Sequence, residues 1–220
     1  YSMYGLGELR TPGTLQTRSM GGVGVGMRNA AAVNLLNPAA YSAVRPKSFL
    51  FDFGLEGQCF YNSQKYYGQT LNTSYYTVNF HDIAFQLPIA KHLGLGFSLT
   101  PYSSVGYRMK QEVDDDEIWG NIGRVQYQWD GDGDVTEVKL GLGWEIFRGF
   151  SIGIAAQYYW GDIQRIYKTA ILENITGGGL IADATGTETY SVSRFKGQFG
   201  VQWSPISNRR RILTIGATYD

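Results

Sequence analysis

The residues best suited to chemistry are carboxylates spaced two apart. Asp130, Asp132 and Asp134 alternate through WDGDGD, and Asp114-Asp115-Asp116-Glu117 precedes them. Such spacing can wrap a calcium ion when a glycine turns the loop at its sixth position and a glutamate closes it at the twelfth. Val135 and Gly141 stand at those positions, so the segment reads as a solvated acidic loop, with adventitious divalent binding as the second reading. His81 beside Asp82 has the residue types of a general base with its orienting carboxylate, but neighbours on a strand point to opposite faces and would form no dyad. His92 falls in a predicted turn. Neither a serine nor the single cysteine, Cys59, sits in a recognisable nucleophile setting, and Cys59 alone supports no disulfide framework or cysteine zinc site. The run GGVGVG invites a nucleotide-binding reading, yet Met27 replaces the third glycine of G-x-G-x-x-G and no strand precedes it. The expectation is a chain without catalytic residues, metal or other cofactor.

The chain has 220 residues, and an all-β barrel of that length forms a single domain. Its 29 glycines, 16 tyrosines and 11 phenylalanines suit aromatic-edged strands joined by glycine turns. A formal net charge of zero leaves no electrostatic footprint for nucleic acid. No run reaches the 18 apolar residues of a membrane-spanning helix, which excludes a helical membrane protein and leaves a membrane barrel open. A start at Tyr1 without methionine or an apolar leader agrees with a secretory signal already removed.

Ser19 to Val44 is the one long stretch without strand alternation, rich in glycine and alanine and ending in Asn37-Pro38-Ala39. Residues 1–46 read as an N-terminal leader and plug, and residues 47–220 as the strands of a barrel around it. Asn29 to Leu36 fits a short helix that Asn37-Pro38 would end, because a residue before proline is pushed out of the helical region. From Lys47 the period changes to two. Phe49, Phe51, Phe53 and Leu55 line one face against Asp52, Gly54 and Glu56 on the other. The same contrast returns from Ile83 to Ile89, Leu93 to Thr100, Glu137 to Ile146, Phe150 to Tyr158, Arg194 to Trp203 and Arg211 to Tyr219. The apolar face often ends in an aromatic, as at Trp144, Tyr158, Trp203 and Tyr219, while the other face carries glycine, charge and glutamine. A lipid-facing transmembrane antiparallel barrel has this pattern; a soluble sandwich shares only the alternation.

Short connections at Ala90-Lys91-His92, Arg148-Gly149 and Pro205 to Arg210 alternate with long ones at about 58–77, 109–134 and 170–189. This is the rhythm of periplasmic turns and extracellular loops, and the plug would enter from the periplasmic side. Seven strands would leave two edges unpaired in lipid, which is prohibitive. Further strands are therefore expected from a longer polypeptide or another chain.

Gly21-Gly22 through Asn37-Pro38-Ala39, with LGLGFSLTPYSSVGY from Leu93 and VKLGLGWEIFRGFSIGIAAQYYWGDIQR from Val138, resembles the FadL/TodX family of outer-membrane channels. Tyr4-Gly5, Gly7 and PYSSVGY from Pro101 resemble its members from Bacteroidetes-type Gram-negative bacteria. The resemblance implies the N-terminal half of a fourteen-stranded barrel in the bacterial outer membrane, plugged by a hatch containing Gly21, Gly22, Asn37, Pro38 and Ala39. It implies passive uptake of a hydrophobic small-molecule ligand such as a long-chain fatty acid, released sideways into membrane lipid at a kink in the third strand. Pro101, which cannot donate to the ladder, with Ser103, Ser104 and Gly106 would form that kink; a bulge near the outer rim is the other reading of Pro101. Arg108, Lys139, Arg194 and Lys196 are candidate partners for a ligand carboxylate, although Asp52, Glu56, Glu137 and Glu145 share the polar face and would pair with them. The alternative function is a barrel of the same fold serving as an accessory or interaction subunit of an outer-membrane secretion or assembly machine, with other outer-membrane proteins as partners. A soluble β-sandwich binding module is the third.

Overall fold

The computed structural model describes residues 2–66, 69–113, 124–173, 184–208 and 211–220. Its elements are β1 (Glu8–Leu9), α1 (Leu15–Ser19), a 3-10 helix (Pro38–Ala43), β2 (Leu50–Tyr66), β3 (Gln69–Ala90), β4 (Leu93–Glu112), β5 (Arg124–Phe147), β6 (Phe150–Glu173), β7 (Ala184–Asn208) and β8 (Arg211–Tyr219). The long strands lie in sequence order in one sheet, β2-β3-β4-β5-β6-β7-β8, and β1 pairs with β4. The chain is therefore all-β and antiparallel, a meander in which each strand pairs with the next. Among the described residues no helix is long and apolar enough to cross a membrane.

The seven strands fall where the alternation places them; β8 has the expected bounds, and the other six are much longer. Apart from Val113, the stretches expected as long loops are strand wherever they are described: β2 and β3 pair from Leu50↔Gln86 to Tyr66↔Gln69 with one register shift, β5 begins at Arg124, and β6 reaches Glu173. The reason is chemical. Residues such as Thr70, Asn72, Thr73 and Ser74 are polar on both faces, so the segment carries no amphipathic signal although β-branched and aromatic residues favour extension. The acidic run Asp114 to Glu117 lies outside the described residues. Asp130, Asp132 and Asp134 stand on β5 as strand residues, which corrects their reading as a loop.

The helix expected over Asn29 to Leu36 is absent, and that segment is irregular. Asn37-Pro38 opens a helix instead of closing one: Asn37 is the N-cap of the 3-10 turn and Pro38 its first residue. Proline's fixed φ and missing N–H suit a helix start, and an asparagine N-cap satisfies an orphan backbone donor.

The chain divides into two compact units. One comprises Thr11–Pro101, Glu137–Tyr158 and Phe195–Asp220; the other comprises Tyr1–Arg10, Tyr102–Thr136 and Tyr159–Arg194. In the first, burial is inverted relative to a soluble protein. Phe51, Trp144, Ile154 and Trp203 are 60%, 52%, 55% and 51% exposed, whereas Asp82, Gln86 and Gln202 are 0%, 1% and 1% exposed. The apolar face is the outer one and the polar face is covered, here by the N-terminal segment. Among the described residues its largest fully buried side chain is Tyr41, with Ala84, Val33, Leu35 and half-buried Leu50 in a small apolar cluster. In the second unit Val105, Val135 and Ile163 form the core, flanked by Tyr102, Tyr107, Tyr159 and Val192.

Candidate functional site

The covered face of the first unit is built around residues 24–42. Asn37 is fully buried and uses both ends of its amide. Its Oδ1 accepts from Ala39 N, and its Nδ2 donates to Val25 O at 2.8 Å and to Val201 O of β7 at 3.1 Å. Asn34 organises the preceding turn, donating to Gly24 O and Met27 O and accepting from Leu36 N. The sheet answers with long polar side chains. Gln86 of β3 donates to Asn34 O at 2.9 Å, Lys139 of β5 to Leu35 O at 3.1 Å, and Gln202 of β7 to Val25 O and Met27 O at 3.0 and 3.1 Å. Arg28 bonds Ser42 Oγ and Ser151 Oγ and lies 3.6 Å from Glu145. Burial lowers the Arg28 pKa, and the Glu145 carboxylate opposes that shift. Buried backbone carbonyls need such partners, and here the sheet's side chains supply them.

Glycines on the covered face let the 3-10 turn approach the strands. A Cβ at Gly153 would stand 2.3 Å from Ala39 N, and one at Gly200 would stand 2.1 Å from Asn37 Oδ1. Gly94, Gly96, Gly141 and Gly143 make the same room for Tyr41 and its neighbours. Pro38 and Ala39 are thus fixed by strands β5, β6 and β7. Gly21 and Gly22 act differently: at φ of +81° and +78° they end α1, donating to Arg18 O and Thr17 O, with nothing near their missing side chains.

His81 and Asp82 do face the same way, contrary to the parity argument. The β2–β3 register passes from Gly54↔Asp82 to Leu55↔Phe80, which leaves His81 as an extra residue in a β-bulge. Both side chains are buried and joined, His81 Nδ1 to Asp82 Oδ1, in the space that Gly54 leaves.

Pro101 lies in a strand that runs on through it, and the change is in pairing and parity. The β3–β4 ladder runs from Ala90↔Leu93 to Ile83↔Leu99. Gly94, Gly96 and Ser98 are buried before Pro101, and Ser103 and Val105 after it, so the faces of β4 exchange across this point. At Ser104 and Ser103 the partner is β1, through Glu8 and Leu9. Arg10 N donates to Tyr102 O, the Arg10 guanidinium reaches Ser104 Oγ, and Arg165 donates to Gly5 O at 2.6 Å. Gly106 has open space around it and donates its N–H to Ser2 Oγ, 3.4 Å away.

Of the candidate carboxylate partners, Lys139 and Lys196 come together around the Asp220 carboxylate. Arg108 pairs with Asp130 at 3.0 Å and is largely exposed, and Arg194 is exposed on β7. Lys139 is buried against Leu35 O and Glu137, and Lys196 pairs with Asp220 at 3.0 Å. An apolar hollow of about 390 Å³ is lined by Leu95, Leu140, Leu142, Ile154, Ala156 and Phe199, chiefly outer-face residues. Sequence reasoning missed Asn34, Tyr41 and Arg28. The signal that could have found Tyr41 was the glycines recurring on one parity of neighbouring strands.

An antiparallel meander with its apolar side outward and an N-terminal segment bonded to its polar side defines a FadL-like β-barrel fold. The chain belongs to the BamG family, whose model matches residues 1–220. No curated protein sequence matches the chain. Its structure is similar to a crystal structure of a Pseudomonas aeruginosa FadL homologue, with a TM-score of 0.51 and 12% identity over 90% of this chain. The chain spans 50% of that solved chain.

Proposed function

We propose that this chain is part of a plugged outer-membrane β-barrel that serves as an interaction subunit of an outer-membrane assembly or secretion machine. Residues 1–46 act as its plug and the Phe, Leu, Ile and Trp face meets lipid. The observation that carries this reading is the bonding of the segment around Asn37. Moving it would orphan Asn37, Gln86 and Gln202 together, at about 1–3 kcal/mol for each buried group left unpaired, and would leave Lys139 with Glu137 alone. A segment so held suits a fixed filling better than a gate. Membership of the BamG family supports a role among outer-membrane proteins.

A second reading, passive uptake of a hydrophobic small molecule such as a long-chain fatty acid, is favoured by one observation. The β3–β4 ladder ends at Leu99, two residues before Pro101, which suits a lateral exit. Affinity purification of the full-length protein from outer membranes in mild detergent separates the two. Stoichiometric partner proteins with no acceleration of fatty-acid entry into proteoliposomes is the expected result. Purification alone, with saturable fatty-acid uptake, would favour the channel.

A further inference from the structure

The edge of β4 that carries β1 has the properties of a strand-docking site. A strand has two edges, and β5 takes one of them: Val113 N donates to Val125 O, and the missing side chain of Gly131 lies against Tyr107. Among the described residues the other edge, at the level of Ser103 and Ser104, carries the two-residue strand Glu8–Leu9, the bond from Arg10 N to Tyr102 O and the contact of the Arg10 guanidinium with Ser104 Oγ. So short a ladder offers little cooperativity, and Leu9 is 61% exposed on it. Glycines at positive φ, Gly5 and Gly7, precede it. Ser103 Oγ is buried beside it and has no hydrogen-bond partner among the described residues.

We propose that β1 is a displaceable cover, and that the edge at Tyr102 to Val105 accepts an extended strand of a partner outer-membrane protein in its place. This rests on the interaction-subunit reading above. Main-chain bonds to a strand edge provide affinity while alternate side chains provide selectivity, and the selectivity can be read from β1. At Gly7, in the turn that leads into β1, a Cβ would lie 2.4 Å from Ser104 O and 2.5 Å from Val105 Cγ2, so an occupant that enters along the same path needs glycine just before its strand. Two residues on, opposite Ser103, there is room for an apolar side chain such as Leu9. The partner segment is therefore a short extended strand entered from a glycine turn, with the glycine two positions before an apolar residue. A side-chain hydroxyl or amide near that residue would also satisfy Ser103 Oγ.

The test uses the full-length protein with Cys59→Ser, Leu9→Cys and Ser103→Cys, because directly opposed residues of an antiparallel pair lie within disulfide range. A photo-crosslinking amino acid replaces Tyr102, and the probe is a biotinylated peptide of residues 1–12. Labelling is expected to be about tenfold stronger in the reduced protein than in the oxidised one. A peptide carrying Gly7→Val should lose a similar factor. Equal labelling in both redox states, indifference to Gly7→Val, or failure of the disulfide to form would overturn the proposal. So would recovery of the wild-type set of co-purifying proteins by the oxidised variant, a result that leaves the interaction-subunit reading intact. A wild-type protein that purifies without partners would instead remove that reading.

Discussion

The side-chain amide of Asn37 donates to the backbone carbonyl of Val201, 3.1 Å away and 164 positions further along the chain. The same amide caps the 3-10 turn and holds Val25, so one residue ties the N-terminal segment to itself and to β7. Asn37→Ala would leave the Val25 and Val201 carbonyls without this donor and remove the cap. Val25 O keeps its bond from Gln202, so the expected loss is about 2–4 kcal/mol, from about 1–3 for the lost buried hydrogen bonds and about 1 for the cap. Thermal unfolding in detergent, followed by circular dichroism, measures the loss. Limited proteolysis should show residues 20–46 becoming cleavable first, and an unchanged midpoint would refute the staple.

The glycines behind this segment give a second, steric test. Gly153→Val places atoms where Ala39 N and the Pro38 carbonyl already are, and overpacking of that kind costs about 1–3 kcal/mol. Gly197, on β7, has nothing within 4 Å of its missing side chain. Gly197→Ala should therefore be neutral or slightly stabilising, since glycine in a strand interior is unfavourable. Equal midpoints for the two variants would contradict the close approach.

What the sequence displayed and what it hid follow from periodicity. Phe49 to Leu55 and Val138 to Ile146 announce their strands because one face is apolar and the other is not. Other strand segments, such as Thr70 to Tyr76 of β3, have no such contrast. The inward glutamines Gln86, Gln198 and Gln202 were visible by parity, but their acceptors on residues 25–36 were not, because irregular backbone has no period. His81 was misplaced by the same rule that placed the strands: one extra residue in a bulge turns two neighbours onto one face. Asn37-Pro38 could signal either the end of a helix or the start of one, and only the side-chain bond to Ala39 N decides for the start.

Tyr41 supplies a pH test. It is fully buried, and its hydroxyl has no hydrogen-bond partner among the described residues. Burial, with the Glu137 carboxylate adding to it, pushes the phenol far above the ordinary tyrosine range. A raised pKa favours the neutral folded form, so the stability it contributes is complete below pH about 10 and declines as pH rises through the folded value. The loss should approach about 1.4 kcal/mol per pH unit within that window. Tyr41→Phe removes this dependence and, having discarded an unpartnered hydroxyl, should be neutral or stabilising at pH 7. Denaturant unfolding of both proteins at neutral and alkaline pH checks the slope, and parallel pH profiles would contradict it.

The outer face discriminates a membrane barrel from a soluble sheet at a single residue. Ile154 is 55% exposed on β6, beside Leu140, Leu142 and Phe199 around the apolar hollow. On a water-facing sheet, replacing so exposed a side chain changes stability by no more than about 0.5 kcal/mol. Facing lipid near the bilayer midplane, Ile154→Arg should cost about 2–4 kcal/mol. The cost should fall toward zero as the arginine is moved along the same face of β6 to Phe150, beside the Arg148-Gly149 turn. Refolding into lipid vesicles across a denaturant series gives the free energy for each position. A flat profile would remove the lipid-facing assignment, whereas a maximum near Ile154 that declines toward the turn would locate the centre of the membrane on the strand.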